Sequence, residues 1–213
     1  TIDAIVLTHA HLDHCGYIPK LVKDGFEGKI HSTEFTAKLA DVILRDSARI
    51  QTEDAVWAAK KGFSKHNPPK ALYEEPDAIQ AMSQFETHDY LQRVQVAEQT
   101  FVTFHPAGHI LGSAYLEVEF FGKRLLFTGD MGRHEHPLLA PPAQIPAGHF
   151  DAIITESTYG DRTHPADNLL AELGPALHRL AARGGVAVVP VFAVGRAQAL
   201  LLAIAQLKEQ GQI

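Results

Sequence analysis

The stretch Thr-His-Ala-His-Leu-Asp-His-Cys-Gly-Tyr, residues 8 to 17, constrains this chain more than any other: it sets three histidines and an aspartate in six positions, directly after the apolar run Ile2 to Leu7. Burying several unpaired titratable groups beside a core strand is costly. A metal ion satisfies imidazole nitrogens and carboxylate oxygens together, and so removes that cost. In extended backbone residues i and i+2 point the same way, so His9 and His11 can offer two imidazoles to one ion. Asp13 and His14 follow as the chain turns toward a helix, where they can face a second site. Two metal positions are implied. Nitrogen ligands with few carboxylates suit Zn2+ better than Mg2+ or Ca2+, with Mn2+ and Fe2+ left open.

Composition narrows the setting. Cys15 is the single cysteine, so neither a disulfide framework nor a cysteine-based zinc cluster is open to the chain, whereas 13 histidines are available. A length of 213 residues with 46% apolar content suits one domain, or one domain and part of another. No apolar stretch approaches the roughly 18 to 20 residues of a membrane span, and no basic and apolar leader marks a secretory signal. The expected partner set therefore excludes a membrane, and the expected compartment is the cytoplasm. The net charge of −6 argues against gripping nucleic acid through a broad basic surface. It leaves room for a phosphate substrate at a cationic site built by metal ions. Both ends read as cut, since a strand is already under way at Thr1 and an apolar helical pattern stops just before Gly211.

Along the chain the pattern predicts a buried strand over 2 to 8, a short helix over 14 to 23 stopped by Gly25, and one long helix or two in succession over 34 to 60. A polar helix over 76 to 85 precedes strands over 93 to 104, 113 to 121 and 123 to 128, the last two turning at Gly122. Four prolines make 133 to 148 a rigid loop before a strand over 152 to 155. A helix over 167 to 183, an apolar strand over 186 to 192 and a helix over 196 to 209 then alternate as in a parallel sheet. A boundary near residue 160 separates the two patterns.

His9-Ala-His11-Leu-Asp13-His14 resembles the HxHxDH motif of the metallo-β-lactamase fold. Pro106-Ala-Gly-His109-Ile-Leu-Gly-Ser113 is similar to the segment that supplies its next histidine ligand, and Phe127-Thr-Gly-Asp130 to the strand end that supplies its bridging aspartate. Glu156-Ser-Thr-Tyr-Gly160 and Pro190-Val-Phe-Ala-Val-Gly-Arg-Ala-Gln198 resemble the β-CASP branch, which cleaves nucleic acids. The implied fold is α/β: a partial metallo-β-lactamase αββα sandwich over 1–160, truncated at its N-terminus, followed over 161–213 by the beginning of a β-CASP cap domain. His9, His11 and His109 would hold one zinc ion, and Asp13, His14 and Asp130 the other. One further histidine would come from a segment beyond the cap, and the chain stops before it.

The physical roles can be argued beside that match. Gly108 and Gly112 flank His109 and let the backbone approach an ion closely, and a carboxylate such as Asp130 has two oxygens with which to bridge two cations. By the same resemblance Asp13, Asp130 and Glu156 are the candidate catalytic residues, with Glu156 orienting a neighbouring histidine or the substrate. Arg196, at a helix start, together with Ser157 and Tyr159, is the candidate substrate-binding set. His134 and His136 form a second His-x-His on the Pro-rich loop and read as exposed; His31, His66, His88, His105, His149, His164 and His178 take the same reading. Cys15 reads as a small packed side chain.

The resemblance implies a zinc-dependent ribonuclease. Two zinc ions about 3.5 to 4 Å apart would activate a hydroxide toward an RNA phosphodiester, leaving a 5′-phosphate and a 3′-hydroxyl. Glu at position 156 with Ser-Thr-Tyr-Gly after it resembles RNA-processing members more than DNA nucleases, so single-stranded RNA is the expected substrate and DNA the lesser one. The alternatives are another hydrolase on the same metal fold, a thioesterase or DNA nuclease, and a non-catalytic RNA-processing subunit. These residues alone are expected to bind the second metal weakly and to show little activity. Oligomeric state is not legible.

Overall fold

The first strand, β1, spans Ala4–Val6, shorter than the predicted residues 2 to 8 because the chain changes sheets at its end. In the computed structural model, which describes residues 2–163 and 169–213, Leu7 donates its N–H to the His31 carbonyl of the first sheet at 2.9 Å, and the Thr8 carbonyl accepts from Ala114 N of the second at 2.8 Å. That switch pins His9 at the junction of two sheets.

The helix predicted over 14 to 23 is two helices, α1 (Leu12–Cys15) and α2 (Ile18–Lys23). They part at Gly16 and Tyr17, and Pro19 lies in the first turn of α2, where its missing N–H costs nothing. Strand β2 (Lys29–Thr33) runs parallel to β1 and leads into one continuous helix, α3 (Glu34–Lys61). Thr33 caps α3 by accepting from Thr36 N, and Gly62 ends it in the left-handed conformation at φ 70°. Ala37, Ala40, Leu44 and Ala48 recur at helical spacing and are buried; the last three join Leu7, Ile30 and Tyr73 in the main core. Helix α4 (Glu75–Met82) is followed by an unpredicted strand, β3 (Phe85–His88), which pairs parallel with β2.

The predicted strand over 93 to 104 is a hairpin, β4 (Arg93–Ala97) and β5 (Thr100–Pro106), turning at Gln99 with φ 45°. Strands β6 (Ala114–Phe120), β7 (Lys123–Phe127) and β8 (Ala152–Ile154) complete a five-stranded sheet, antiparallel except for β7 against β8. Phe121 and Gly122 turn β6 into β7 at φ 46° and 77°, the left-handed pair that a two-residue hairpin favours. Val6 packs against Val102, Phe104, Ala114 and Leu116, which is where the two sheets meet. Helices α2, α3 and α4 pack with the first sheet around the main core, through Val22, Leu44 and Ala78 among others. The far side of the second is covered by Met131, Ala143 and Phe150 from the long loop, packed on Tyr115 and Leu126. This is a mixed α/β sandwich.

The chain divides into two compact units, Thr1–Glu156 and Ser157–Ile213. The second contains α5 (Leu169–Ala182) and α6 (Arg196–Glu209), with Gly174 of α5 set close to the buried Leu207 of α6. Residues 186 to 192 pair with no strand among the described residues, contrary to the predicted strand: Val186, Val188 and Phe192 are exposed, and an apolar run becomes a strand only where a neighbour satisfies its backbone. His164 and the first two residues of the predicted helix lie outside the described residues. No helix among them is long and apolar enough to cross a membrane.

Candidate metal centre

His9 and His11 extend from the end of β1, His109 from the loop after β5, and Asp130 from the loop after β7. Their donor atoms all lie within 4.8 Å of one another. His9 Nε2 is 3.2 Å from His11 Nδ1, and His11 Nδ1 is 3.0 Å from His109 Nε2. Two imidazole nitrogens on one tetrahedral zinc, each at about 2.0–2.1 Å, stand about 3.3 Å apart, so these spacings fit a shared ion. The rings meet nearly edge to face, at 81° to 84°, which aims the nitrogens inward without stacking the rings.

Asp130 faces two ways. Its Oδ2 lies 3.4 Å from His109 Nε2 and 3.8 Å from His9 Nε2, whereas its Oδ1 lies 3.3 Å from His14 Nε2. Asp13 Oδ2 is 3.6 Å from the same His14 nitrogen. One carboxylate thus joins a three-histidine set to an Asp13–His14 set, the donor chemistry for two neighbouring cations.

Electrostatics agree with ligand duty. Burial first, then the neighbouring His14, His109 and His11, pushes the His9 imidazole down to about 2. Burial and His11 also push His109 below its ordinary value. Both are neutral near pH 7 and present lone pairs, as metal binding requires.

Backbone packing sets the geometry. A Cβ on Gly132 would fall 1.8 Å from the Gly108 carbonyl oxygen, and Gly132 N donates to Ala107 O at 2.8 Å, so the Asp130 and His109 loops touch through backbone alone. Gly129, at φ 52°, lets the Asp130 loop sit against the Thr8 side chain. Ser113 Oγ accepts from His109 N at 3.0 Å and Ile110 N at 3.2 Å, which closes the His109 loop. Thr8 Oγ1 lies 3.2 Å from His9 Nδ1 and orients that ring. Sequence reasoning assigns Thr8 and Ser113 no role of their own. A hydroxyl near a ligand histidine is the only signal for them, and it is common elsewhere.

Glu156 sits at the end of β8 and accepts from Met131 N at 2.9 Å through Oε1. Its own N–H donates to Thr128 Oγ1 at 3.3 Å. The contact reaches the residue next to Asp130, which makes Glu156 a candidate positioning residue for that carboxylate. Loss of such an outer partner typically costs about 10–100-fold in metal affinity. Glu156→Ala is expected to weaken metal binding within that range, and Glu156→Gln, which keeps an acceptor oxygen, to restore most of it, by competition with a chromogenic chelator. Equal affinities for wild type and Glu156→Ala would refute the positioning role.

Ser157, Tyr159 and Arg196 belong to the second unit and are exposed. Arg196 is the first residue of α6, with its guanidinium 5.8 Å from the centre of the Phe192 ring. Cys15 is buried, and burial pushes its thiol up to about 12. Four histidines read as exposed are not, among them His88, whose side chain is 6% exposed. His105 is buried and stacks on Tyr115 with centroids 4.7 Å apart, because a neutral imidazole packs as an aromatic ring. His31 is buried against His88. His136 is half-buried and its Nδ1 accepts from Leu138 N and Leu139 N, both at 3.1 Å.

Over residues 1–162 the chain matches the family described as the metallo-beta-lactamase superfamily. It is 31% identical over 201 residues to "Ribonuclease TTHA0252" of Thermus thermophilus, covering 94% of this chain and 42% of that protein. It is 34% identical over 203 residues to "Endoribonuclease YSH1" of Saccharomyces cerevisiae, with 94% and 25% covered. To "Endoribonuclease ysh1" of Schizosaccharomyces pombe it is 35% identical over 204 residues, with 95% and 25% covered. The chain spans less than half the length of these relatives.

Proposed function

The chain belongs to the metallo-beta-lactamase superfamily, and from that footing we propose that it carries the metal-binding part of a zinc-dependent ribonuclease of the β-CASP type, acting on single-stranded RNA. The observation that carries this reading is the two-faced Asp130, whose oxygens address His9 and His109 on one side and His14 on the other. The relatives' names as ribonucleases and endoribonucleases support RNA over other phosphodiesters.

His9, His11 and His109, with Asp130 Oδ2, would hold one ion; Asp13, His14 and Asp130 Oδ1 would hold the other. A bound pair would supply Lewis acidity for the phosphoryl oxygens and lower the pKa of a water toward about 7. This chain's residues do the preparatory work. Burial keeps the His9 and His109 imidazoles unprotonated at working pH. Glu156, through Met131 N, fixes the direction of Asp130. Three elements from well-separated parts of the sequence are locked together by backbone contacts, so no reorganisation is left for the reaction itself. Arg196, Ser157 and Tyr159 remain candidates for the phosphate backbone of the substrate.

Protein expressed from the complete reading frame and loaded with zinc is expected to cut labelled single-stranded RNA, to cut single-stranded DNA of the same sequence less well, and to leave a thioester intact. Thioester turnover without RNA cleavage would assign the site to the other hydrolases of this fold. Full zinc occupancy with neither reaction would leave a binding subunit.

A further inference from the structure

A second group of metal-ligating side chains lies on the first sheet, outside the centre described above, and nothing in the ribonuclease reading uses it. His31 is on β2; Glu86 and His88 are on β3. The two strands pair in parallel with His31 opposite Glu86, and Glu86 and His88 are two residues apart on one strand, so all three side chains share one face. His31 Nδ1 is 2.9 Å from His88 Nε2, with ring centroids 5.1 Å apart. The corresponding separations in the first centre are 3.0 and 3.2 Å between nitrogens, and 4.8 to 5.0 Å between centroids. The second pair therefore repeats the spacing of the first but not its ring geometry: the two rings are inclined at 22°, not set edge to face.

Glu86 Oε1 approaches His88 Nε2 to 4.0 Å, and the donor atoms of all three residues fall within 4.8 Å of one another. The imidazoles are enclosed, with His31 4% and the His88 side chain 6% exposed, whereas the Glu86 side chain is 48% exposed and leaves a route from solvent. On its outer side the His88 ring lies against Phe104, with centroids 5.8 Å apart, which limits how far it can turn away.

We propose that His31, Glu86 and His88 form a separate binding site for a divalent transition-metal ion of the zinc, cobalt or nickel kind. The alternative is a plain hydrogen bond between two neutral imidazoles. That bond would satisfy the rings but would not draw in Glu86, whose oxygen at 4.0 Å is beyond hydrogen-bond reach of His88. A cation between the three donors accounts for both the nitrogen spacing and the carboxylate at the solvent edge. Two nitrogens and one oxygen select against calcium and magnesium, and three protein ligands leave a position open on the solvent side. Burial holds both histidines below their ordinary protonation range, so neither needs to shed a proton near pH 7. The ion would tie β3 to β2.

The test is cobalt titration of chelator-stripped protein, read by visible absorption and by metal analysis after dialysis. The background is the double variant His11→Ala, Asp130→Asn, so that the first centre does not contribute. This protein is expected to keep one equivalent of cobalt, and adding Glu86→Gln is expected to weaken that equivalent at least tenfold. His88→Gln should abolish it. Should His88→Gln fail to fold, Glu86→Gln decides, because an exposed carboxylate can be neutralised without disturbing the core. Cobalt binding that is absent from the double variant, or unchanged by Glu86→Gln, would overturn the site.

Discussion

Asp130→Asn is expected to remove metal from both halves of the centre at once. Asn keeps the size of the side chain and leaves undisturbed the backbone bonds that hold the loop, among them Met131 N to Glu156. What it removes is charge. One Asp130 oxygen faces His9 and His109 while the other faces His14 at 3.3 Å, so a single substitution deprives two sets of imidazoles of their shared anion. An amide offers one oxygen and turns an N–H2 group toward the other ion, which a dication repels. The loss should exceed the about 10–100-fold that removal of an outer hydrogen-bond partner costs. Zinc titration is expected to find both equivalents weakened relative to the unsubstituted protein, with far-UV circular dichroism unchanged. Retention of both would mean that Asp130 does not bridge.

His11→Ala is expected to act on one half only. His11 Nδ1 lies between the other two nitrogens of its set, 3.2 Å from His9 and 3.0 Å from His109, so its removal opens one corner of the tetrahedron. The variant should fold. His11 stands at the start of α1, where its carbonyl accepts from His14 N and Cys15 N and its side chain makes no capping bond, so Ala preserves the local backbone. Zinc affinity of the three-histidine set should fall by more than about 100-fold, since a direct ligand outweighs an outer partner. The Asp13–His14 side keeps its own donors and Asp130. Metal analysis should therefore show one equivalent lost in His11→Ala against two in Asp130→Asn. Equal losses would indicate that the two sets behave as a single site.

The clustered side chains were legible because the titratable groups sit at strand ends, where a run of apolar residues stops. The dense cluster of His9, His11, Asp13 and His14 marks one such end, and Gly108 and Gly129 mark the close approaches that bring His109 and Asp130 to it. Contacts through backbone atoms left no such trace. Nothing in the sequence indicates that Glu156 would bind Met131 N, since the partner is an N–H that every residue but proline carries. The hairpin at Gln99 was read as one strand because its left-handed turn residue is neither glycine nor asparagine. Strand β3 escaped because Phe-Glu-Thr-His has a single apolar residue in four. His31 and His88 read as exposed for a related reason: they meet across 57 positions, and a lone histidine on a short strand carries no sign of its partner.

Anomalous diffraction at the zinc absorption edge, from crystals of this protein grown with zinc, bears most directly on the claim that distant strand ends converge on a pair of cations. The expected map has one peak bounded by His9, His11 and His109 and a second bounded by Asp13 and His14, with Asp130 between them. A map with no peak at those side chains, or with His109 and Asp130 turned away from His9 and His11, would contradict it.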